Sequence, residues 1–216
     1  MTMKTAAILH ALEGLSDADL VAHIRAGDRG AMEVLMRRHN RMLYRTARAI
    51  LRDDAEAEDA VQEAYWQAYQ ALATFRGESK LSTWLVRIAA NEALMRRRRN
   101  VRAAEVVPLD PALPAEEERG DSMLRRILEN RIDRLPDDYR AVFVLRALEE
   151  LSVEETATAL GIPEATVRTR YFRARGLLRE SLAREIDRTL GDSFAFAGER
   201  CDRMVAKVLE RIAAGT

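Results

Sequence analysis

The sequence is poor in the residues that build disulfide, metal and cofactor chemistry. Of 216 residues, one is cysteine and three are histidine. A single cysteine, Cys201, excludes an intrachain disulfide framework and a cysteine-rich zinc site. His10, His23 and His39 stand at no metal-ligand spacing, and neither a Gly-rich phosphate loop nor a nucleophile motif occurs. The expectation is a protein that is not an enzyme and uses no metal and no cofactor. No apolar run approaches the roughly 18 residues that cross a bilayer. Residues 1–15 are too short and too weakly basic for a secretory signal. No membrane insertion is expected, and the location expected is cytoplasmic. Net charge is also missing, with 35 Lys+Arg against 35 Asp+Glu. That balance excludes a uniformly basic nucleic-acid coat but allows a polarised one.

Alternating runs of β-branched and polar residues are absent, which argues against strands. What is present is helical periodicity over an apolar content of 48%, enough for real cores. Ser16 with Asp19 three residues on reads as a capping box for a short helix. Gly27-Asp28 ends that helix and caps the next, whose apolar stripe is Met32, Leu35, Met36, Leu43, Ala47 and Ile50. Asp53-Asp54 starts a third helix. A break at Phe75–Ser79 precedes a fourth, which ends in Arg96–Arg99, where cations suit the helix dipole. Residues 101–120 change character. They hold Pro108, Pro111 and Pro114, three of the five prolines, among Glu105, Asp110, Glu116, Glu117 and Glu118. This reads as an acidic, proline-containing linker. Helices resume near Asp121, and residues 191–216 carry one more amphipathic helix. The fold class read from this pattern is all-α: two small helical domains joined by the linker.

The segment from Ser152 to Leu182 carries the clearest pattern. Ser152 with Glu155 forms a capping box, Gly161 supplies a left-handed helix end, and Ile162-Pro163 turns the chain into a long helix. Two helices joined by a short Gly-containing turn are the layout of a DNA-binding helix-turn-helix. At about 100° per residue, Val167, Tyr171, Ala174 and Leu178 fall on the buried side. Thr169, Phe172 and Arg173 face outward, with Arg168, Arg175 and Arg179 on one flank and Arg170 on the other. Duplex DNA asks for outward tips at base edges and guanidinium groups at phosphates.

Charge in the first half is segregated. Arg37, Arg38, Arg41, Arg45, Arg48 and Arg52 precede Asp53, Asp54, Glu56, Glu58, Asp59 and Glu63. Pairing between adjacent helices absorbs part of this. Glu56, Asp59 and Glu63 nevertheless share a helix face, where like charges cost a few tenths of a kcal/mol per pair, about what a basic partner would relieve. Farther on, Phe75, Arg76, Gly77, Ser79, Lys80, Trp84, Arg87 and Asn91 bring aromatics and cations together. Those are the ingredients for holding unstacked bases.

Three ordered motifs then resemble one family. They are Asp59-Ala-Val-Gln-Glu63, the Phe-Arg-Gly-x-Ser…Thr-Trp-Leu-x-Arg-Ile-Ala-x-Asn run ending at Asn91, and Thr166-Val-Arg-x-Arg…Arg-Ala-Arg175. Together they resemble bacterial RNA polymerase sigma factors of the sigma-70 family, extracytoplasmic-function (group IV) class, over about residues 15–187. The resemblance implies an N-terminal segment 1–14, region 2 at 15–100, the linker at 101–120, region 4 at 121–187 and a C-terminal extension at 188–216. It implies that Asp59, Gln62 and Glu63, with Glu56 beside them, dock on core RNA polymerase through its β′ and β subunits. It gives Phe75, Arg76, Gly77, Ser79, Lys80, Trp84, Arg87 and Asn91 to the −10 element. It gives Thr166, Arg168, Thr169, Arg170, Phe172, Arg173 and Arg175 to the −35 element. Three outward positions of the helical wheel, Thr169, Phe172 and Arg173, coincide with the family's −35 contacts. The implied function is promoter recognition and strand opening for transcription initiation of stress-response genes. The implied partners are core polymerase, promoter DNA and an anti-sigma factor. A stand-alone helix-turn-helix regulator is the alternative, and it leaves the two motifs of the first half unexplained. The extension departs from the family pattern. Packing over region 4 and a regulatory role both remain open for it, and Cys201 between Arg200 and Arg203 would favour a lowered thiol pKa.

Overall fold

The computed structural model describes residues 12–104, 123–192 and 199–213. Among these, nine α-helices and no strands are found. Asp17–Arg25 forms α1, Arg29–Leu51 α2, Asp54–Ala71 α3 and Leu81–Ala104 α4. Met123–Asp133 forms α5, and Asp137–Phe143 forms α6, which continues into a π-helical turn over Val144–Leu148. Val153–Leu160 is α7, Glu164–Asp192 is α8 and Glu199–Ala213 is α9.

The sequence punctuation sets these ends. Asp28 accepts from the amides of Gly30 and Ala31, and Asp53 from that of Glu56, so each satisfies donors that the first helical turn leaves free. Ser152 and Glu155 close a reciprocal capping box on α7. Ser16 differs: it accepts from the Asp19 amide, but its hydroxyl donates to the Asp19 carboxylate at 2.6 Å. The short aspartate side chain is held by the hydroxyl, so the expected two-way box is a one-way cap. Gly161 ends α7 at φ 64, the left-handed conformation that only glycine adopts without penalty. Two boundaries move from the sequence reading. Helix α4 runs four residues into the expected linker, and α8 continues past Asp187 to Asp192. The prolines of the linker lie outside the described residues.

Helices α2, α3 and α4 pack mutually, with α1 against α2. Leu20, Leu35, Leu43, Ile50, Leu85 and Val86 are fully buried there. The second helical cluster joins this core instead of building a separate one. Ala141, Leu145, Leu151 and Ala159 belong to the same apolar cluster as the first four helices. Helix α7 lies on α4, and α6 lies on α2. The described residues on both sides of the linker position, up to Gly176, therefore belong to one compact unit.

Polar contacts across this junction are many. Arg48 reaches Asp133 at 3.1 Å, Arg45 reaches Glu149 at 3.2 Å, and Arg52 donates to the Leu135 carbonyl at 2.9 Å. Arg140 is fully buried. Its Nε donates to the Ala49 carbonyl at 2.6 Å, and its Nη atoms reach the carbonyls of Asp133 and Leu135 and the Asp137 carboxylate. Burial, then the nearby Arg52, push its pKa down. A guanidinium nonetheless stays charged in a protein.

Residues 177–216 form a second unit. Its helix α9 is strongly amphipathic, yet Met204, Val205, Val208, Leu209 and Ile212 are all exposed. No described helix is long and apolar enough to cross a membrane.

Candidate functional site

The arginines of α2 do not pair with the acidic face of α3. Arg37 binds Glu33 within its own helix, Arg38 binds Asp17, and Arg45 and Arg52 reach across the junction. Arg48 alone takes an α3 acid, Asp54. The relief that Glu56 and Asp59 need comes instead from Arg96 on α4, with Nη1 at 3.7 and 3.8 Å from their carboxylates. Arg96 is held by Glu92, itself buried, at 2.8 Å. Burial lowers the Arg96 pKa, but the hydrogen bond and charge of Glu92, aided by Glu56 and Asp59, raise it on balance. Glu63 accepts from Gln67 at 3.3 Å. Asp59 remains 65% exposed and Gln62 is exposed, so the face still presents acceptors to solvent.

The same face continues one and two turns farther on in aromatics. Trp66 is 55% and Tyr69 48% exposed, with their rings stacked at 6.2 Å. They border a groove with Ile24, Met32 and Met36. Exposed paired aromatics beside an acidic stripe have the composition of a docking surface. The signal was available in the i, i+3, i+7, i+10 spacing from Asp59 through Gln62 and Trp66 to Tyr69.

The loop between α3 and α4 is anchored from below. Arg25 donates to the Leu72 carbonyl at 2.9 Å and to the Phe75 carbonyl at 2.6 Å. Gly77 takes φ 74 at the tip. Arg76, Gly77, Ser79 and Lys80 are exposed, as are Arg87 and Asn91 one and two turns into α4. Phe75 and Trp84 are partly buried against the core, with rings tilted at 47° and centroids 5.1 Å apart. Trp84 therefore serves the core and also lines the groove formed with Thr74, Lys80, Thr83 and Arg87. Glu154, Glu155 and Thr158 of α7 form the opposite wall of that groove. Glu155 accepts from the Thr83 hydroxyl at 3.0 Å and lies 3.3 Å from Lys80 Nζ. Its pKa is lowered, first by the Ser152 amide and then by Thr83 and Lys80, against a burial effect of opposite sign.

On α8, Val167 and Ala174 are fully buried, and Phe172 stands 81% exposed on the opposite side. Thr169 and Arg173 are exposed beside it. Several flanking residues already have partners within the same unit. Arg168 binds Glu164 at 2.6 Å, Arg170 binds Asp138 at 2.8 Å, and Thr169 bonds back to the Ala165 carbonyl. Arg175 and Arg146 lie over the Tyr171 ring, 5.7 and 5.5 Å from its centroid. Tyr171 in turn stacks on Phe143. Arg173 approaches the Tyr139 hydroxyl at 3.4 Å, a long contact. Thr166 is half-buried beside Tyr139 and Arg170. Phe172 and Arg173 are thus the least committed tips of this face.

The three groups occupy separate surfaces. Asp59, Gln62 and Glu63 lie on α3, the Phe75–Asn91 group at the loop and α4, and Thr166–Arg175 on α8. Among the described residues no cluster of His, Cys, Asp or Glu could hold a metal ion. Sequence reasoning missed Arg25, Arg96, Arg140, Glu149 and Glu155 as organisers of these surfaces. Glu155 was visible as a capping residue, but its second partner, Thr83, lies 72 positions away.

Known proteins carry the same arrangement. Residues 35–103 match the sigma-70 region 2 family, and residues 125–178 match sigma-70 region 4. The chain is 37% identical over 167 residues to the ECF RNA polymerase sigma factor SigM of Mycobacterium tuberculosis, spanning 77% of this chain and 85% of SigM. It is 37% identical over 180 residues to the RNA polymerase sigma-H factor of Pseudomonas aeruginosa, spanning 77% and 93%. Among solved structures it resembles the sigma factor RpoE of Bartonella quintana, crystallised with the anti-sigma factor NepR. That likeness has a TM-score of 0.58 and 26% identity, over 70% of this chain and 96% of the other. The two family regions, matched in this order, and 37% identity over most of both chains place the chain in the sigma-70 family, among the extracytoplasmic-function RNA polymerase sigma factors.

Proposed function

We propose that this protein is a promoter-specificity subunit that binds core RNA polymerase, recognises −10 and −35 elements and promotes strand opening. The observation that carries this reading is the coexistence in one chain of an exposed acidic and aromatic α3 face and a helix-turn-helix with an outward Phe172. A stand-alone regulator needs the second feature only. In this reading residues 15–100 act as region 2 and 121–187 as region 4, with 101–120 as linker and 188–216 as extension.

The α3 face is the polymerase-docking surface. Asp59, Gln62 and Glu63, with Glu56, supply acceptors to a basic coiled-coil partner, while Arg96 holds Glu56 and Asp59 in position before docking. Trp66 and Tyr69 extend that surface with apolar anchors of the kind that dominate interface energies. At the loop, Phe75 and Trp84 offer a stacking platform, and Arg76, Lys80 and Arg87 supply charge for the phosphates of an opened strand, with Gly77, Ser79 and Asn91 alongside. On α8, Phe172 meets thymine methyl groups and Arg173 reads a base edge. Thr166, Arg168, Thr169, Arg170 and Arg175 place the helix on the backbone. The polymerase performs nucleotidyl transfer, so the chain itself needs no catalytic residue. The protein works in the cytoplasm with polymerase, and an anti-sigma factor is its regulatory partner.

In vitro transcription with core polymerase on a promoter library tests the reading. New start sites should appear only with the protein and should be lost with Asp59→Ala and reduced with Trp66→Ala. DNA binding as a dimer without polymerase, with no new start sites, would overturn it in favour of a stand-alone regulator.

A further inference from the structure

A carboxylate is buried behind the acidic face of α3. Glu92 of α4 is 4% exposed, and α4 packs on α3. Taking a charge out of water is costly, and an apolar side chain of similar volume would avoid that cost. Both oxygens of Glu92 are satisfied by donors that also reach the surface. Oε1 accepts from Arg96 Nε at 2.8 Å, and Oε2 accepts from Gln67 Nε2 at 3.1 Å. Gln67 Nε2 also donates to Glu63 at 3.3 Å. Arg96 Nη1 stands 3.7 Å from Glu56 and 3.8 Å from Asp59. One buried group therefore sits behind all three surface acids. The contacts differ in kind. Arg96 is hydrogen-bonded to Glu92, whereas at 3.7 and 3.8 Å it shares charge with Glu56 and Asp59 and donates to neither carboxylate. A guanidinium fork left free closes on a carboxylate through two parallel hydrogen bonds. Here Nη2 reaches the Asp59 main-chain carbonyl instead, at 3.4 Å.

We propose that Glu92 is a positioning residue for polymerase docking: it pins Arg96 and Gln67 behind the α3 face, so that Glu56, Asp59 and Glu63 are steadied while the Glu56 and Asp59 oxygens stay available to the partner's donors. This inference rests on the assignment of that face to polymerase. Arg96 is near enough to relieve repulsion between Glu56 and Asp59 and too far to use up their acceptors. Without the charge of Glu92, Arg96 has no buried anion to hold it, and its guanidinium moves onto the surface carboxylates. The face then meets a basic partner with one negative charge fewer and with acceptors already taken. An amide at position 92 also turns a donor toward the Gln67 donor, so the link to Glu63 fails as well.

Glu92→Gln tests this, because it removes the charge and keeps the shape. The full chain, labelled at its single cysteine, Cys201, is titrated with core polymerase, and fluorescence anisotropy reports binding over a series of salt concentrations. Promoter DNA is left out, because Arg87 and Asn91 on the same helix are assigned to the −10 element. Glu92→Gln should weaken binding about fivefold, the upper end of what one exposed ion pair is worth. It should also flatten the fall of affinity with salt, since the docking face carries less charge to screen. Adding Arg96→Gln removes the freed cation, so the wild-type salt dependence should return and the affinity should recover to within about twofold. Lost packing gives the opposite order. A double variant as weak as Glu92→Gln, or weaker, overturns the proposal, as does Glu92→Gln binding like wild type. Should Glu92→Gln prove unfolded by circular dichroism, Gln67→Met cuts the Glu63 branch alone. It should weaken binding about twofold, the worth of one such hydrogen bond, and unchanged binding overturns the proposal. Asp59→Ala separates the two claims. Binding as tight as wild type removes the docking assignment itself. Binding lost in Asp59→Ala but kept in Glu92→Gln removes only the role of Glu92.

Discussion

Replacing Arg140 by methionine should cost this protein a large part of its stability, although the volume change is small. The guanidinium is fully buried and donates to the Ala49, Asp133 and Leu135 carbonyls and to Asp137. Ala49 lies in the last turn of α2 and Asp133 is the last residue of α5, where helix carbonyls have no intrahelical partner. The Leu135 carbonyl keeps a second donor in Arg52. Methionine therefore strips two carbonyls of their donor, at about 1–3 kcal/mol each. Releasing a buried cation from its desolvation penalty returns part of this. A net loss of about 3 kcal/mol follows, and at roughly 2–4 °C per kcal/mol for a chain of this size the melting temperature should drop by about 6–12 °C. Thermal unfolding followed by far-UV circular dichroism measures it. Arg140→Lys, which keeps the charge but cannot serve several carbonyls at once, should fall between the two. A melting temperature within about 2 °C of wild type for Arg140→Met would refute the reasoning, because burying the guanidinium would then cost as much as its hydrogen bonds return.

The other expectations concern DNA and pH. Arg173→Ala should weaken −35 recognition by about 1–3 kcal/mol at one base position, read from binding to single-base variants of the element. Equal loss on every sequence would mean that Arg173 meets phosphate only. Glu155 has a lowered pKa, so its contribution to stability is present above its ordinary 4.5 and fades as pH falls through the lower folded value. Wild type and Glu155→Gln should therefore differ in melting temperature at neutral pH and converge as the pH drops below about 4, the carboxylate range. A difference that persists unchanged into strong acid would refute the assignment of that stability to the carboxylate.

Much of the local structure was legible because it depends on near neighbours in sequence. The caps at Asp28, Asp53 and Ser152, the turn at Gly161, and the burial of Val167 and Ala174 opposite Phe172 all follow from spacings of three to eight residues. The Ser16 box was read one step too far, because the pattern does not show which way a short carboxylate turns. The charge blocks of the first half were visible as well. Their partners were not, because an arginine with four rotatable side-chain bonds can choose among every acid within reach once helices are packed. Arg45 and Arg48 chose Glu149 and Asp133, 104 and 85 positions away, and Arg96 took Glu56 and Asp59.

The sequence by itself determined the all-helical fold, the helix-turn-helix, the acidic stripe of α3 and the aromatic loop before α4. Each is written in the period of a helix or in a turn residue, and each needs no distant contact to be specified. Only the tertiary structure decided that the two helical clusters share one core, that Arg140 is buried between them, and that the α7 cap lies on the Phe75–Arg87 groove. Those arrangements rest on which apolar faces meet after the chain has crossed a proline-containing linker. Hydrophobic burial drives that meeting without direction, and the partner surface is fixed by shape and by long-range ion pairs that no local spacing records.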